Sequence, residues 1–378
     1  MGMMDQSASD PVARLVTDID AFDPGVWNVL AGSDPCVSYD FLRLLEASHS
    51  VGDEAGWSPL HISVERDGAP IAVTPTYLKA HSQGEYVFDH GWADAYERAG
   101  GAYYPKLQVA SPFTPCPGRR LLGEDKTTLI AALEAVTRQN GLSGAHATFI
   151  DDDDRSAFEA RGWLIREGLQ YHWFNRDFAD FDAFLDMLSS RKRKSIRKER
   201  SRAVEGLEIA TLRGNAIDAE AVEAMWAFYQ DTGQRKWGHP YLTRDFFDGM
   251  IAALGDRLLL FLAKEDGVPV AGALNFVGAD TLYGRYWGTL IDRPGLHFEL
   301  SYYRAMDWAI AHGFRTVQAG AQGEHKLMRG YEPVRTYSAH YLPDPGFRDA
   351  VARFLEGERE AVAREIEWAR EALPFKQG

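Results

Sequence analysis

Residues 320–331 read Gly-Ala-Gln-Gly-Glu-His-Lys-Leu-Met-Arg-Gly-Tyr, so Glu324, His325 and Lys326 set a carboxylate, an imidazole and an ammonium side by side. Such a set can take a proton from an attacking amine, return one to a leaving group, or neutralise a phosphate or an oxyanion. Gly320 and Gly323 let the backbone turn sharply, because glycine reaches positive φ without a Cβ clash. A strand predicted at 316–319 leads into the loop and another at 334–341 leads out, the strand-end position where α/β sheets hold ligands. A solvated strand-to-helix turn has a similar composition, so the string by itself marks candidates.

Other residue groups could serve the same chemistry. Gln322 and Arg329 share the loop and could orient a carbonyl or a phosphate. Arg285, Tyr286 and Trp287 end a predicted strand and could wall a cleft, although aromatic residues there also build cores. Glu299 falls in the first turn of a helix predicted at 297–312, where the helix dipole favours a carboxylate whatever its role. Arg235, Lys236 and Trp237 mix cations with an indole in a loop, which suits a phosphate or a stacked base. Residues 191–202 carry eight Arg/Lys against one Glu, a charge of +7 on a chain of net charge −14, leaving −21 elsewhere. Arg191, Lys192, Arg193, Lys194, Arg197, Lys198 and Arg200 are therefore candidates for polyanion contact. Ile196 and Ala203 give this stretch one thin apolar stripe for docking, and a solvated basic face is the competing reading.

These groups must be positioned by more than one core. A chain of 378 residues, 45% hydrophobic and 25% charged, has the size of two globular domains. Cys36 and Cys116 cannot make a disulfide framework, no Cys/His set has zinc spacing, and residues 1–11 lack an apolar signal region. The longest apolar run, 258–263, is far too short to span a membrane. A cytoplasmic location is expected, and the acidic average excludes indiscriminate nucleic-acid binding. Strands are predicted at 12–19, 60–66, 69–79, 85–89, 107–110, 145–150, 207–212, 258–264, 268–277 and 281–287. Helices are predicted at 124–140, 217–232, 297–312 and 347–373, an α+β (α/β layered) pattern.

The two halves repeat one another. Val-Glu-Arg-Asp-Gly-Ala-Pro-Ile-Ala at 64–72 answers Ala-Lys-Glu-Asp-Gly-Val-Pro-Val-Ala at 263–271, an offset of 199. Arg161-Gly162-Trp163 answers Arg329-Gly330-Tyr331 at an offset of 168, which also places His172 on His340. Matches in one order imply a duplicated domain, 11–176 followed by 177–378. At the 168 offset, Asp152-Asp153-Asp154-Arg155-Ser156-Ala157-Phe158 fills the frame of residues 320–326. The second copy thus carries turn glycines and a mixed acid–base set where the first has like charges. The first half is expected to be scaffold, and the active cleft is expected between the halves, lined mainly by the second.

The element order in each half resembles the GNAT N-acyltransferase unit, and two units in tandem resemble the Fem-type aminoacyl transferases. The chain is most similar to the FemAB-like family of N-acyltransferases. That similarity rests on Ser190-Arg191-Lys192-Arg193-Lys194-Ser195-Ile196-Arg197-Lys198-Glu199-Arg200, Arg235-Lys236-Trp237-Gly238 and Tyr283-Gly284-Arg285-Tyr286-Trp287-Gly288. His297-Phe298-Glu299-Leu300, residues 320–330 and Tyr337-Ser338-Ala339-His340 complete it. The resemblance implies transfer of an acyl or aminoacyl group to an amine, with aminoacyl-tRNA or acyl-CoA as co-substrate and no permanently bound metal or redox cofactor. The acceptor would be an amine-bearing small molecule or a peptidoglycan-related precursor. A non-catalytic RNA- or cell-wall-precursor-binding protein on the same scaffold is the alternative. Neither 117–120 nor 294–297 has the full glycine pattern that GNAT enzymes present to the CoA pyrophosphate.

Overall fold

The computed structural model describes residues 9–236, 240–320 and 323–376. Contacts divide the chain into two compact units, one reaching to Glu167 and including Thr336–Arg359, the other made of Gly168–Arg335 and the chain from Glu360. A single cut at 176/177 therefore misses where two strands end. Strand Leu164–Phe174 finishes in the second unit, where residues 172–174 pair with Thr316–Gln318. Strand Glu332–Tyr341 finishes in the first, where residues 337–341 pair with Ala145–Ile150. Nothing in a linear pattern of apolar residues marks which sheet a strand end will join.

The repeat is visible in the backbone. Hairpin strands His61–Arg66 and Ala69–Thr74 shift register between Val64 and Glu65, and strands Leu258–Glu265 and Val268–Val277 shift between Ala263 and Lys264, the same place at the 199 offset. Both turns put an aspartate and a glycine at positive φ: Asp67 and Gly68 at 53° and 80°, Asp266 and Gly267 at 50° and 81°. This is the turn an Asp-Gly pair favours between twisted strands. Gly162 and Gly330, 168 residues apart, also agree, at φ 78° and 81°.

The copies then diverge at one residue. Pro75 in the first unit stands where the second has Leu274. Proline has no N–H for a ladder, and the strand breaks there into Ala69–Thr74 and Thr76–Lys79, which belong to different sheets. The second unit keeps Val268–Val277 whole. Its sheet runs in the order 208–213, 258–265, 268–277, 281–289, 316–318 and the end of 164–174.

One helix anchors each core. In the first unit Leu129, Ile130, Leu133 and Val136 of helix Lys126–Gln139 bury against Leu107, Val109, Ala145 and Ala147. In the second, residues 296–311 form one helix containing a π turn, Glu299–Tyr303. The apolar face expected from the sequence is 298, 302, 305, 306 and 309. The wider turn shifts the phase so that Tyr302 and Tyr303 are both buried, along with Leu300 and Trp308.

The strand expected at 85–89 is absent, and a helix the sequence reading missed, His90–Arg98, follows instead. Glu85 and Asp89 are drawn inward by Lys106, whose Nζ donates to Glu85 Oε2 at 2.8 Å, to Ser82 Oγ at 2.9 Å and to Asp89. All three ionic side chains are buried.

Candidate active site

Strand Thr281–Thr289 pairs in parallel with Thr316–Gln318 only as far as Tyr283 and Gln318. Beyond that point it bulges against its other neighbour: Leu274 faces Tyr286 and Asn275 faces Gly284, leaving Arg285 as the extra residue. A bulge bends a strand and re-aims its side chains. Gly284 keeps the junction tight, since a Cβ there would lie 3.2 Å from Gln318 O. After Gln318 the chain leaves the sheet, where the two strands part.

Gly320 and Gly323 take φ 75° and 120°, and a 3-10 helix, Glu324–Arg329, follows. The ring of His325 folds back over Gly323, 2.4 Å from where a Cβ would stand. Lys326 is fully buried, and its Nζ donates to Gly320 O at 2.5 Å. Burial alone brings this lysine down to about 7. Its charge in turn helps hold buried His172 down at about 3, after burial itself. His325 is exposed, with Nε2 2.8 Å from Tyr302 Oη and its ring 5.3 Å from that of Phe298.

Arg329 ties the turn down. Its guanidinium makes two bonds to Glu199, Nε to Oε1 at 3.1 Å and Nη2 to Oε2 at 2.7 Å, and donates from Nη1 to His325 O at 2.8 Å. It also lies 3.3 Å over the ring of Phe298. Tyr303 Oη donates to Glu199 Oε1 at 2.6 Å. Glu199, the one acid in the basic stretch, is thus the hub of the loop's anchorage. Sequence reading missed it; its signal is its solitude among eight cations.

Other candidates take structural work. Glu299 is 1% exposed and its carboxylate is consumed by Arg200, at 2.9 and 3.0 Å, and by Arg304 at 2.8 Å. Arg200 also reaches Asp307 at 2.6 Å and lies over Phe181. Glu299 is closed to a substrate, which corrects the binding role expected for it, while Arg200 keeps 19% of its side chain exposed but is tied to two carboxylates. Glu299→Gln should lower stability by about 1.5–3 kcal/mol through lost charge-assisted bonds, read by urea denaturation. Tyr286 faces a core of Tyr229, Phe246, Phe247 and Phe276, away from Trp287, whose ring is 5.1 Å from His297. Trp287 therefore belongs with the aromatic group around the loop and Tyr286 does not. Arg285 lies 5.3 Å over the Tyr286 ring.

The basic stretch forms helix Ser190–Ala203 and docks through Ile196 and Ala203, the stripe expected. Arg193 pairs with Asp186 and Arg197 with Asp182, the latter at 2.7 Å. Lys192 is half-buried and held down by burial and by Arg329. Arg191, Lys194 and Lys198 stand exposed. Gln322 and Trp237, and the side chains of Glu324, Arg235 and Lys236, lie outside the described residues.

A family model for FemAB-like proteins, described as peptidoglycan biosynthesis/recognition, matches residues 18–377. The chain belongs to the FemAB-like family. Its fold is of the α+β class. Solved structures of similar fold include FemX, at 12% identity and TM-score 0.53 over 90% of this chain and 100% of that one. L-PGS from Bacillus licheniformis has 15% identity and TM-score 0.52 over 85% and 97%. The C-terminal domain of a putative lysylphosphatidylglycerol synthetase from Agrobacterium fabrum has 11% identity and TM-score 0.53 over 88% and 95%. Among curated proteins no match is found. No helix among the described residues of this FemAB-like chain is long and apolar enough to cross a membrane.

Proposed function

We propose that this FemAB-like protein moves an acyl or aminoacyl group from an activated donor to an amine in the cytoplasm, with the 320–330 loop as its catalytic centre. The carrying observation is Lys326, a buried amine brought to about 7 and hydrogen-bonded to the Gly320 carbonyl. A neutral amine can still donate to that carbonyl and keep its lone pair for a proton. In the reaction the acceptor nitrogen attacks the acyl carbonyl carbon and a C–N bond forms. The carbonyl π pair moves to oxygen, and the proton lost by nitrogen passes to Lys326 Nζ. Collapse breaks the bond to the leaving group, which recovers a proton. Arg329 holds the turn in place.

The first unit is scaffold in this reading. Its equivalent of the loop is an ordinary helix, Asp152–Ala160, and Asp154 accepts from the backbone of Arg120 and Leu121 while pairing with Lys126. The donor is preferentially an aminoacyl-tRNA. Exposed Arg191, Lys194 and Lys198 could meet its phosphates. CoA is disfavoured by Gly295, the residue before helix 296–311, where a Cβ would lie 3.2 Å from Glu199 Cγ and 3.6 Å from Ala203 Cβ. The basic helix thus packs against one side of the helix start to which a pyrophosphate would bind.

Mass-spectrometric detection of transfer to a peptidoglycan-precursor amine, with aminoacyl-tRNA and acetyl-CoA offered in parallel, tests the reading. Glutamates at 191, 194 and 198 should raise KM for the tRNA donor at least tenfold. An unchanged KM would refute the tRNA contact, and transfer from acetyl-CoA alone would reverse the donor preference.

A further inference from the structure

Glu199 is the one carboxylate of helix Ser190–Ala203, whose exposed side chains suit a polyanion. An acid on that outer face would oppose the contact. The fold turns it inward: it is partly buried, while Lys194 and Lys198 stand exposed. There it accepts from Arg329 Nε at 3.1 Å, from Arg329 Nη2 at 2.7 Å and from Tyr303 Oη at 2.6 Å. Gly295 gives it passage, since a Cβ at that residue would lie 3.2 Å from Glu199 Cγ. A two-pronged guanidinium–carboxylate pair fixes orientation as well as distance.

Arg329 passes that orientation to the backbone of the turn. Its Nη1 donates to His325 O at 2.8 Å, and its guanidinium lies 3.3 Å over the ring of Phe298. The carbonyl it grips belongs to the residue before Lys326. Leu327 and Tyr331, both buried, fasten the apolar side of the same segment. The apolar pair keeps the turn attached, and the ion pair sets how it is rotated. Lys326 depends on that rotation, because its burial and its bond to Gly320 O are both properties of the closed turn. Buried His172, on strand Leu164–Phe174, is the titratable group that feels this amine from a neighbouring element, and His325 and Arg329 share its turn.

We propose that Glu199 is a positioning residue for the transfer: it holds Arg329, Arg329 holds the turn, and the turn holds Lys326 where the acceptor amine is deprotonated. The helix that offers Arg191, Lys194 and Lys198 to the donor's phosphates thus carries, on its inner face, the residue that aligns the base. Donor affinity and base alignment then belong to opposite faces of one helix and can be changed separately. The catalytic half of the inference rests on the transferase reading above; the dependence of the Lys326 environment on Glu199 does not.

The test variant is Glu199→Gln, which removes the charge and keeps the size. Its kcat should fall about 10–10²-fold, the cost of a misaligned catalytic group. KM for the tRNA donor should stay within about threefold, because the outer cations are intact. Arg329→Gln should lose at least as much, and adding Glu199→Gln to it should cost nothing further, since residues acting through one contact are not additive. Additive losses, or a Glu199→Gln defect carried by KM, overturn the proposal. A second readout needs no turnover: the Cε shift of Lys326 in protein labelled with 13C-lysine, assigned by its loss in Lys326→Met and titrated with pH. Burial alone brings this amine down to about 7. Loosening the turn admits water, so in Glu199→Gln the midpoint should rise toward about 10.4, the value of a free lysine. An unmoved midpoint overturns the proposal. If Glu199→Gln fails to fold by thermal melting, Glu199→Asp, which keeps the charge and shortens the reach, replaces it in both assays with the same directions expected. Absence of transfer from every donor would sink the transferase reading, and the midpoint would still decide whether Glu199 sets the turn.

Discussion

Lys326→Met is expected to lower turnover by about 10²–10⁴-fold, the range general acid–base groups contribute, while the protein stays folded. Methionine nearly matches the lysine stem in volume and removes an amine that burial already drives toward neutrality, so the core loses little. Lys326→Arg should fail as badly, because a guanidinium cannot give up its proton at any working pH. Parallel kcat and thermal-melt measurements separate chemistry from folding. Turnover of Lys326→Met within a few-fold of wild type would remove Lys326 from the mechanism.

The second large effect is structural and lies in the first unit. Lys106→Met is expected to destabilise by about 3–5 kcal/mol, since removing one partner of a buried ion cluster strands the others. The groups left behind are Asp89, which also accepts from Tyr103 Oη at 2.6 Å, and Glu85, whose remaining cation is buried Lys79 at 3.9 Å. Burial already pushes Glu85 up to about 7 against the pull of Lys106. Adding Glu85→Gln and Asp89→Asn to Lys106→Met should recover most of the loss, because the polar groups then remain while their uncompensated charge does not. Urea denaturation measures both. If Lys106→Met alone lowers stability by less than about 1 kcal/mol, the cluster is a solvated pair in disguise.

The duplicated hairpin, the basic helix and the glycine turns were legible in the sequence because each depends on a local pattern: Asp-Gly between alternating residues, a thin apolar stripe at 196 and 203, glycine at positive φ. What was not legible depends on partners distant in the chain. Glu299 read as a candidate ligand, yet Arg200, 99 residues away, consumes it. The string 85–89 read as a strand for its Tyr-Val-Phe centre, yet its flanking carboxylates turn inward to Lys106 further along the chain. Glu199 went unnoticed because its partner, Arg329, is 130 residues off. The strand ends past 167 and 335 could not be assigned to a unit because a strand's apolar pattern does not name its neighbour.

If the amine of Lys326 acts in its neutral form, the pH dependence of kcat/KM must carry its titration. A lysine brought down to about 7 is protonated below that pH and a base above it. The rate should therefore rise through about pH 7 and level off, and that step should be missing from the residual activity of Lys326→Met. A rate that falls as pH rises through 7, or an identical step in the variant, would rule the neutral amine out as the base.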